Sequence, residues 1–388
     1  MIVKQNSEES NSEFVKRKAY IHRIVESRLN ANNKLLVEKS ANRKPITAAQ
    51  RQAVELYWKK HLHAGAEYVN LDYYDVYNKV AKEEELARYM PDSFFYAFID
   101  EWLTNPSRSA PVDDKNLYDL LFADVLRPQT IARKVEESFF DADFNKIGVN
   151  DFIEICKKQP EVFVKAAIYS YGGHGVMCWN PKKDSVEKLL NFIYRNNSGE
   201  GHYIARTAKQ YVVQAPLKQH ETLAKINPSS INTVRIMSLV WGGEVHILSS
   251  VLRMGINGSR VDNCSSGGIV CGIDAKGICK SIAYDNQANA YYSHPNGTTF
   301  AGVIIPGYDK CVALVKKLAN RFFAQSRLIS WDLAINENGE PVVVEMNISY
   351  GELDFHQLCN GPIFGDLTEE ILDKMYEESW TFKKLLGR

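Results

Sequence analysis

The sequence predicts an α+β protein: a mainly helical N-terminal region, residues 1–105, followed by a strand-rich body, residues 106–388. Three observations carry that prediction. Thr47 and Gln50 have capping-box spacing, and Val54, Trp58 and Leu62 follow at intervals of four, which puts one apolar stripe on a helix. After residue 160, short apolar runs alternate with glycine-rich turns, the texture of strands. Between Ile329 and Asn347, two alternating runs flank Asn338-Gly339, a favoured hairpin turn.

In the N-terminal region an aromatic run, Phe94 to Trp102, follows Pro91, with no strand–helix alternation and no glycine-rich turn. Asn105 to Val112, NPSRSAPV, reads as a linker. In the body, Val162 to Ile168 is a short strand, Ser170 to Gly175 a glycine-rich loop, and Tyr211 to Leu217 a further strand. Thr233–Trp241 and Glu244–Met254 form a hairpin around Gly242-Gly243. Val312, Val315, Leu318 and Phe322 mark an amphipathic helix, and the chain is helical again from Thr368.

Bulk properties narrow the function. The chain has 388 residues, more than one compact core usually holds, so subdomains are expected. Its 47 basic and 47 acidic side chains balance, which offers no polybasic surface for nucleic acid or anionic lipid. Seven cysteines, an odd number with no C-x-x-C pair, argue against a disulfide framework or structural zinc and for a reducing cytoplasm. MIVKQNSEESNSEF has no apolar core of a signal peptide. No run approaches the roughly 20 apolar residues that cross a bilayer, so membrane insertion is not expected.

The hairpin at 329–347 carries the sharpest chemical signal. Alternation places Asp332 on one face of its strand and Glu345 and Asn347 on one face of the next. A two-residue turn at Asn338-Gly339 pairs Leu333 with Val344, Trp331 with Met346, and Asp332 with Glu345. Facing carboxylates repel, and a cation between them removes the penalty. Two carboxylates with an amide oxygen suit Mg²⁺, which takes oxygen ligands and keeps waters and phosphates as the others.

Other features are weaker alone. Lys165 stands on the apolar strand EVFVKAAI before SYGGHG; glycines let backbone N–H groups approach phosphate oxygens and a lysine adds charge. The order is opposite to a Walker loop. Arg235 and Arg253 lie on the two strands of the Gly242-Gly243 hairpin, where a two-residue turn puts them on opposite faces; one site for both requires twist or a longer turn. Asp141, Asp143 and Asn145 imitate the start of an EF-hand loop, but Lys146 and Phe152 stand where glycine and glutamate are needed.

In this order the parts resemble the ATP-grasp superfamily, and most of all its sugar-transfer-associated family. The resemblance lies in DKNLYDLLFADVLRP, FVKAAIYSYGGHGV, SSINTVRIMSLVWGGEVHILSSVLRMG, VDNCSSGGIVCGID, HPNGTTFAGVIIP and ISWDLAINENGEPVVVEMN, over roughly residues 113 to 360. It implies an ATP-grasp fold of two α+β subdomains clasping ATP, at about 161–220 and 221–388. It also implies site residues. Lys115 and Lys165 would bind phosphates, with Gly172, Gly173 and Gly175 closing over them. Gln214, Ala215 and Leu217 would belong to the hinge strand that holds adenine, and Glu221 would take the ribose. Asp332, Glu345 and Asn347 would hold Mg²⁺, or Mn²⁺ in its place. Arg235 and Arg253 resemble the paired arginines of amino-acid ligases and would act in catalysis. Asn263, Gly267 and Gly268, in an N-x-x-x-G-G loop, would border the acyl site. The helical residues 1–105 depart from the α/β domain with which many ATP-grasp enzymes begin.

The resemblance implies an ATP-dependent carboxylate–amine ligase working through an acylphosphate. The substrates would be a small carboxylate and an amine, such as an amino sugar or amino acid in surface-polysaccharide metabolism. A phosphotransferase and a non-catalytic nucleotide-binding protein are the alternatives.

Overall fold

The structure, a computed structural model, describes residues 10–21, 23, 26–30, 39–104, 106–109, 112–168, 175–194 and 210–386. Among these no helix is long and apolar enough to cross a membrane.

The N-terminal region is helical, as expected. Thr47 caps the helix Ala48–Leu62 through a complete capping box with Gln50. Val54, Trp58 and Leu62 are buried along it. Asp92 to Leu103 runs as one helical stretch with a wider π turn at Phe95–Ile99, and it buries almost every side chain. Of the expected linker, Pro106–Ser109 forms a helical turn, while residues 105, 110 and 111 lie outside the described set.

Two antiparallel sheets make the body. The smaller holds β1 (Thr130–Val135), β2 (Ser138–Asp141), β3 (Lys146–Ile147), β4 (Val162–Ala166), β5 (Val176–Trp179) and β6 (Gln210–Gln214), in the order β3-β2-β1-β6-β4-β5. Helices Val149–Lys157 and Val186–Tyr194 pack on one face, against Val162, Val164, Tyr211 and Val213. Alternation therefore sends Phe163, Lys165 and Gln214 to the other face. The EF-hand-like acids serve the β2–β3 turn: Asp143 and Asn145 donate backbone N–H groups to Asp141 Oδ1, each at 2.9 Å.

The larger sheet holds β7 (Thr233–Trp241), β8 (Glu244–Met254), β9 (Ile269–Ile273), β10 (Cys279–Tyr284), β11 (Ala290–Tyr291), β12 (Leu328–Ile335) and β13 (Pro341–Asn347), in the order β11-β10-β9-β8-β7-β12-β13. One face, with Ile236, Leu252, Trp331 and Leu333, packs on the helix Tyr308–Arg321. On the other face, Met237 and Leu239 are covered by the N-terminal helices and by the C-terminal helices Leu353–Asn360, Thr368–Glu378 and Trp380–Leu386. The helical N-terminal region is thus packed into the core of the body.

Candidate functional site

A cleft of about 700 Å³ opens between the two sheets. The smaller sheet contributes Phe163, Lys165, Val176 and Gln214, and the chain beyond β6 adds Ala215 and Leu217. Gln214 is buried, and its Oε1 has no donor among the described residues. Lys115 bridges the sheets: its N–H donates to the carbonyl of Ala167 at 2.9 Å, and its buried Nζ lies 2.7 Å from Glu345 Oε1.

The opposite wall is the metal-type hairpin and its neighbours. Asp332 pairs with Glu345 and Ser330 with Asn347, so both carboxylates and the amide share a face. The turn that brings this about differs from expectation. It is a three-residue loop, Glu337 to Gly339, closed by Asn336 and Glu340, with Gly339 at φ 73°. Leu333 then pairs with Val343, not Val344, and a bulge at Val344 restores the register at Asp332. The longer turn and the bulge cancel.

A second bulge decides the arginines. The β7–β8 turn is the two-residue Gly242-Gly243 turn, with Trp241 opposite Glu244. Leu248 is extra, so Ser238 faces Ile247 while Met237 faces Ser249. Arg253 therefore lies opposite Thr233, and Arg235 opposite Val251, which puts both arginines on the cleft face. Neither twist nor a longer turn is needed.

The arginines converge on Asp332. Arg235 donates from Nε to Oδ1 at 2.6 Å and from Nη2 to Oδ2 at 2.7 Å, and Arg253 Nη1 donates to Oδ2 at 3.0 Å. Arg235 Nη1 also donates to Glu352. Arg253 is buried, yet its Nε and Nη2 have no hydrogen-bond acceptor among the described residues; the nearby carboxylates of Glu352 and Asp262 stand at 3.8 and 3.9 Å. Burial pushes the Asp332 carboxyl up, but Arg235 and Arg253 outweigh it and hold it well below the usual range. Burial lowers the Lys165 pKa, with Lys115 adding to the effect against the pull of Glu345. His356, wholly buried with Nδ1 2.7 Å from Ser249 Oγ, is pushed down to about 3 by burial and Arg235.

The donor set suits Mg²⁺. Asn347 turns Nδ2 to Ser330 O at 3.3 Å and Asp332 Oδ2 at 3.4 Å, which leaves its Oδ1 as an amide oxygen donor. Among the described residues Asp332 Oδ1 accepts from Arg235 alone, which leaves it a lone pair. Among the described residues no cluster of three His, Cys, Asp or Glu side chains assembles, so an ion held here would draw the rest of its shell from other oxygens, such as phosphate and water.

Lys115, Lys165, Gln214, Ala215, Leu217, Arg235, Arg253, Asn263, Asp332, Glu345 and Asn347 all line the one cleft. Gly267, at φ 93°, and Gly268, whose N–H donates to Asn263 O at 3.0 Å, shape the loop behind it. Gly175, at φ 81°, accepts from Ala166 N–H at 2.8 Å at the β4–β5 turn. Gly172 and Gly173 lie outside the described residues. Glu221 is exposed outside the lining, with Lys225 at 3.9 Å. Sequence reasoning missed Tyr96, Asp262, Tyr350, Glu352 and Asp354, which also line the cleft. The last three follow directly on the metal-type strand, a usable signal; Tyr96 has none in its local sequence.

A family model described as sugar-transfer associated ATP-grasp matches residues 101–371. No curated protein matches the sequence. Similar solved structures include D-alanyl-alanine synthetase A from Vibrio cholerae, at 12% identity over 71% of this chain and 67% of that one, TM-score 0.40. D-cycloserine synthetase DcsG is 14% identical over 70% and 73%, TM-score 0.41. The ATP-grasp ligase PsnB complexed with a minimal precursor is 11% identical over 70% and 63%, TM-score 0.37.

Proposed function

Because the chain belongs to the sugar-transfer associated ATP-grasp family, we propose that it is an ATP-dependent carboxylate–amine ligase. The observation that carries this is the gathering, on facing walls of one cleft, of Asp332, Glu345 and Asn347 with Lys115, Lys165, Arg235 and Arg253. Adenine lies against Phe163 and Val176, with buried Gln214 Oε1 accepting a hydrogen bond. Lys115 and Lys165 meet the phosphates as point charges. Asp332, Glu345 and Asn347 would hold Mg²⁺, or Mn²⁺, which when bound would neutralise phosphate charge. Gly172, Gly173 and Gly175 would meet the phosphates through backbone N–H groups, and Glu221 would take the ribose.

The reaction balances without a nucleophilic side chain. A substrate carboxylate oxygen attacks the γ-phosphorus, the bond to the β-phosphate oxygen breaks, and ADP leaves an acylphosphate. An amine then attacks the acyl carbon, loses a proton and displaces inorganic phosphate. Arg253, with Nε and Nη2 unsatisfied, and Arg235 stabilise the charge that develops on the transferring group. Asn263, Gly267 and Gly268 border the acyl group. The family is described as sugar-transfer associated, and the acceptor we propose is an amino sugar of surface-polysaccharide metabolism.

The test is a screen of carboxylate and amine pairs for ADP release, with mass spectrometry of products. Mg²⁺-dependent ADP formation with an amide product is expected, lost in Glu345→Gln. ADP formation with a phosphorylated product that no amine consumes identifies a phosphotransferase instead. Binding of ATP with no turnover for any pair would point to a non-catalytic protein.

A further inference from the structure

β13, the strand of Glu345 and Asn347, is the last strand of the larger sheet, so its outward N–H groups have no further strand to pair with. A buried N–H without an acceptor is costly, and other groups must take the place of a strand. Residues 115–126 do so. The N–H of Val343 donates to Leu126 O at 2.9 Å, and the N–H of Met346 donates to Tyr118 Oη at 3.1 Å. These two bonds bracket the bulge at Val344 that sets Glu345 opposite Asp332. A bulge interrupts the ladder and bends its strand, so the register beyond it depends on what holds the strand there. The Met346 N–H belongs to the peptide unit that begins at Glu345, and that unit is planar. Fixing it fixes the backbone from which Glu345 and Asn347 project, one on each side of Met346.

Tyr118 is itself held firmly. It is buried, and its ring meets Phe122 edge to face, with centroids 5.0 Å apart and planes at 89°. Both rings belong to the core that also holds Trp331 and Met346. The segment around Tyr118 is tied to both parts of the body. On the side of the smaller sheet, Lys115 N–H donates to Ala167 O at 2.9 Å, just beyond β4. Arg133 of β1 donates from Nε to Asn116 O at 3.2 Å and pairs with Asp119. On the side of the larger sheet, Asp124 accepts from Lys317 Nζ at 2.7 Å and from Arg321 Nη1 at 2.8 Å. The hydroxyl is therefore a fixed point for the strand. Tyr118 is not among the residues that line the cleft.

Resting on the Mg²⁺ assignment in the reading above, we propose that Tyr118 is a positioning residue for the metal. Its hydroxyl pins β13 just past the bulge and so sets where Glu345 and Asn347 stand relative to Asp332. It acts through the strand and not by contact with the ion.

The experiment uses the full chain and Mn²⁺, followed by electron paramagnetic resonance in the presence of AMP-PNP. Tyr118→Phe keeps the ring in its core and removes the acceptor for Met346 N–H. It is expected to weaken Mn²⁺ binding about tenfold, while AMP-PNP affinity measured in EDTA stays within about twofold of wild type. Leu318→Ala, in the same core but on the helix Tyr308–Arg321, controls for lost stability. It is expected to lower the melting temperature at least as far as Tyr118→Phe does and to leave Mn²⁺ affinity within about twofold. In a Glu345→Gln background, Tyr118→Phe should weaken Mn²⁺ binding by about threefold or less, because both changes act on one interaction. Wild-type Mn²⁺ affinity in Tyr118→Phe, an equal loss in Leu318→Ala, or an undiminished loss in the Glu345→Gln background overturns the positioning role and leaves the metal assignment standing. A wild-type chain that binds AMP-PNP but no Mn²⁺ removes the metal assignment and this proposal with it.

Discussion

Asp332, the Mg²⁺ ligand proposed above, is also the counter-ion of two buried arginines, and Asp332→Asn therefore tests the fold as well as the chemistry. The side chains of Asp332, Arg235 and Arg253 are 5%, 5% and 2% exposed. Asparagine keeps one acceptor but turns an NH₂ group toward a guanidinium and removes the charge. Breaking a buried ion pair from one side costs about 3–5 kcal/mol. Glu352 still faces Arg235, which places the expected loss near the lower end, about 3 kcal/mol. Glu345→Gln should cost only about 1 kcal/mol, because Glu345 is 26% exposed and solvent screens its pair with Lys115. Urea unfolding followed by tryptophan fluorescence reads the difference, with buried Trp331 beside the mutated position as reporter. The pH dependence has a definite sign. The folded carboxyl of Asp332 is depressed, so its contribution is fully present above its unfolded value of about 3.9 and is lost as pH falls below that toward the folded value. The gap between wild type and Asp332→Asn should thus stay constant from pH 5 to 8 and close only in stronger acid. A variant within about 1 kcal/mol of wild type at pH 7, or a gap that closes between pH 5 and 8, would refute the argument.

Three further outcomes follow from the same structure. Lys165→Met should weaken ATP binding by calorimetry with little change in urea midpoint. ATP affinity of the wild type should also begin to fall at a pH below the ordinary lysine value, because burial lowers the pKa of Lys165. Gly268→Ala would bring a Cβ to 2.6 Å from Asp262 O and 2.8 Å from Met254 O, both backbone atoms that cannot swing away; turnover should drop about tenfold or more while ATP affinity stays near wild type. Burial raises the Asp100 carboxyl to about 7, so the native state binds a proton that the unfolded chain has already lost, and stability falls as pH rises from about 4 to 7. Asp100→Asn keeps the acceptor for Tyr350 and should be the more stable form at pH 8 by at least about 1 kcal/mol, with no advantage below pH 4; a constant offset across that range would contradict this.

What the sequence alone determined is local and periodic. Thr47 with Gln50, the stripe of Val54, Trp58 and Leu62, and the strands 233–241 and 244–254 are set by capping, by 3.6-residue and by two-residue periodicity, and all are present as read. The facing of Asp332 and Glu345 was legible too, although for an incomplete reason: the turn is one residue longer than Asn338-Gly339 implies, and a bulge at Val344 compensates. Bulges are the first thing only the tertiary structure decided. An extra residue such as Leu248 has no signature in alternation, because its effect is to shift phase, and it alone brings Arg253 to the face of Arg235. The second is the meeting of distant segments. Tyr96 and Lys39 reach Tyr350, Leu353 and Asp354 because an apolar helical surface must be buried, and the free sheet face at Met237 and Leu239 is where it goes. Hydrophobic burial is non-directional and leaves no mark at the polar positions it brings together, so these contacts could be seen only once the chain was folded.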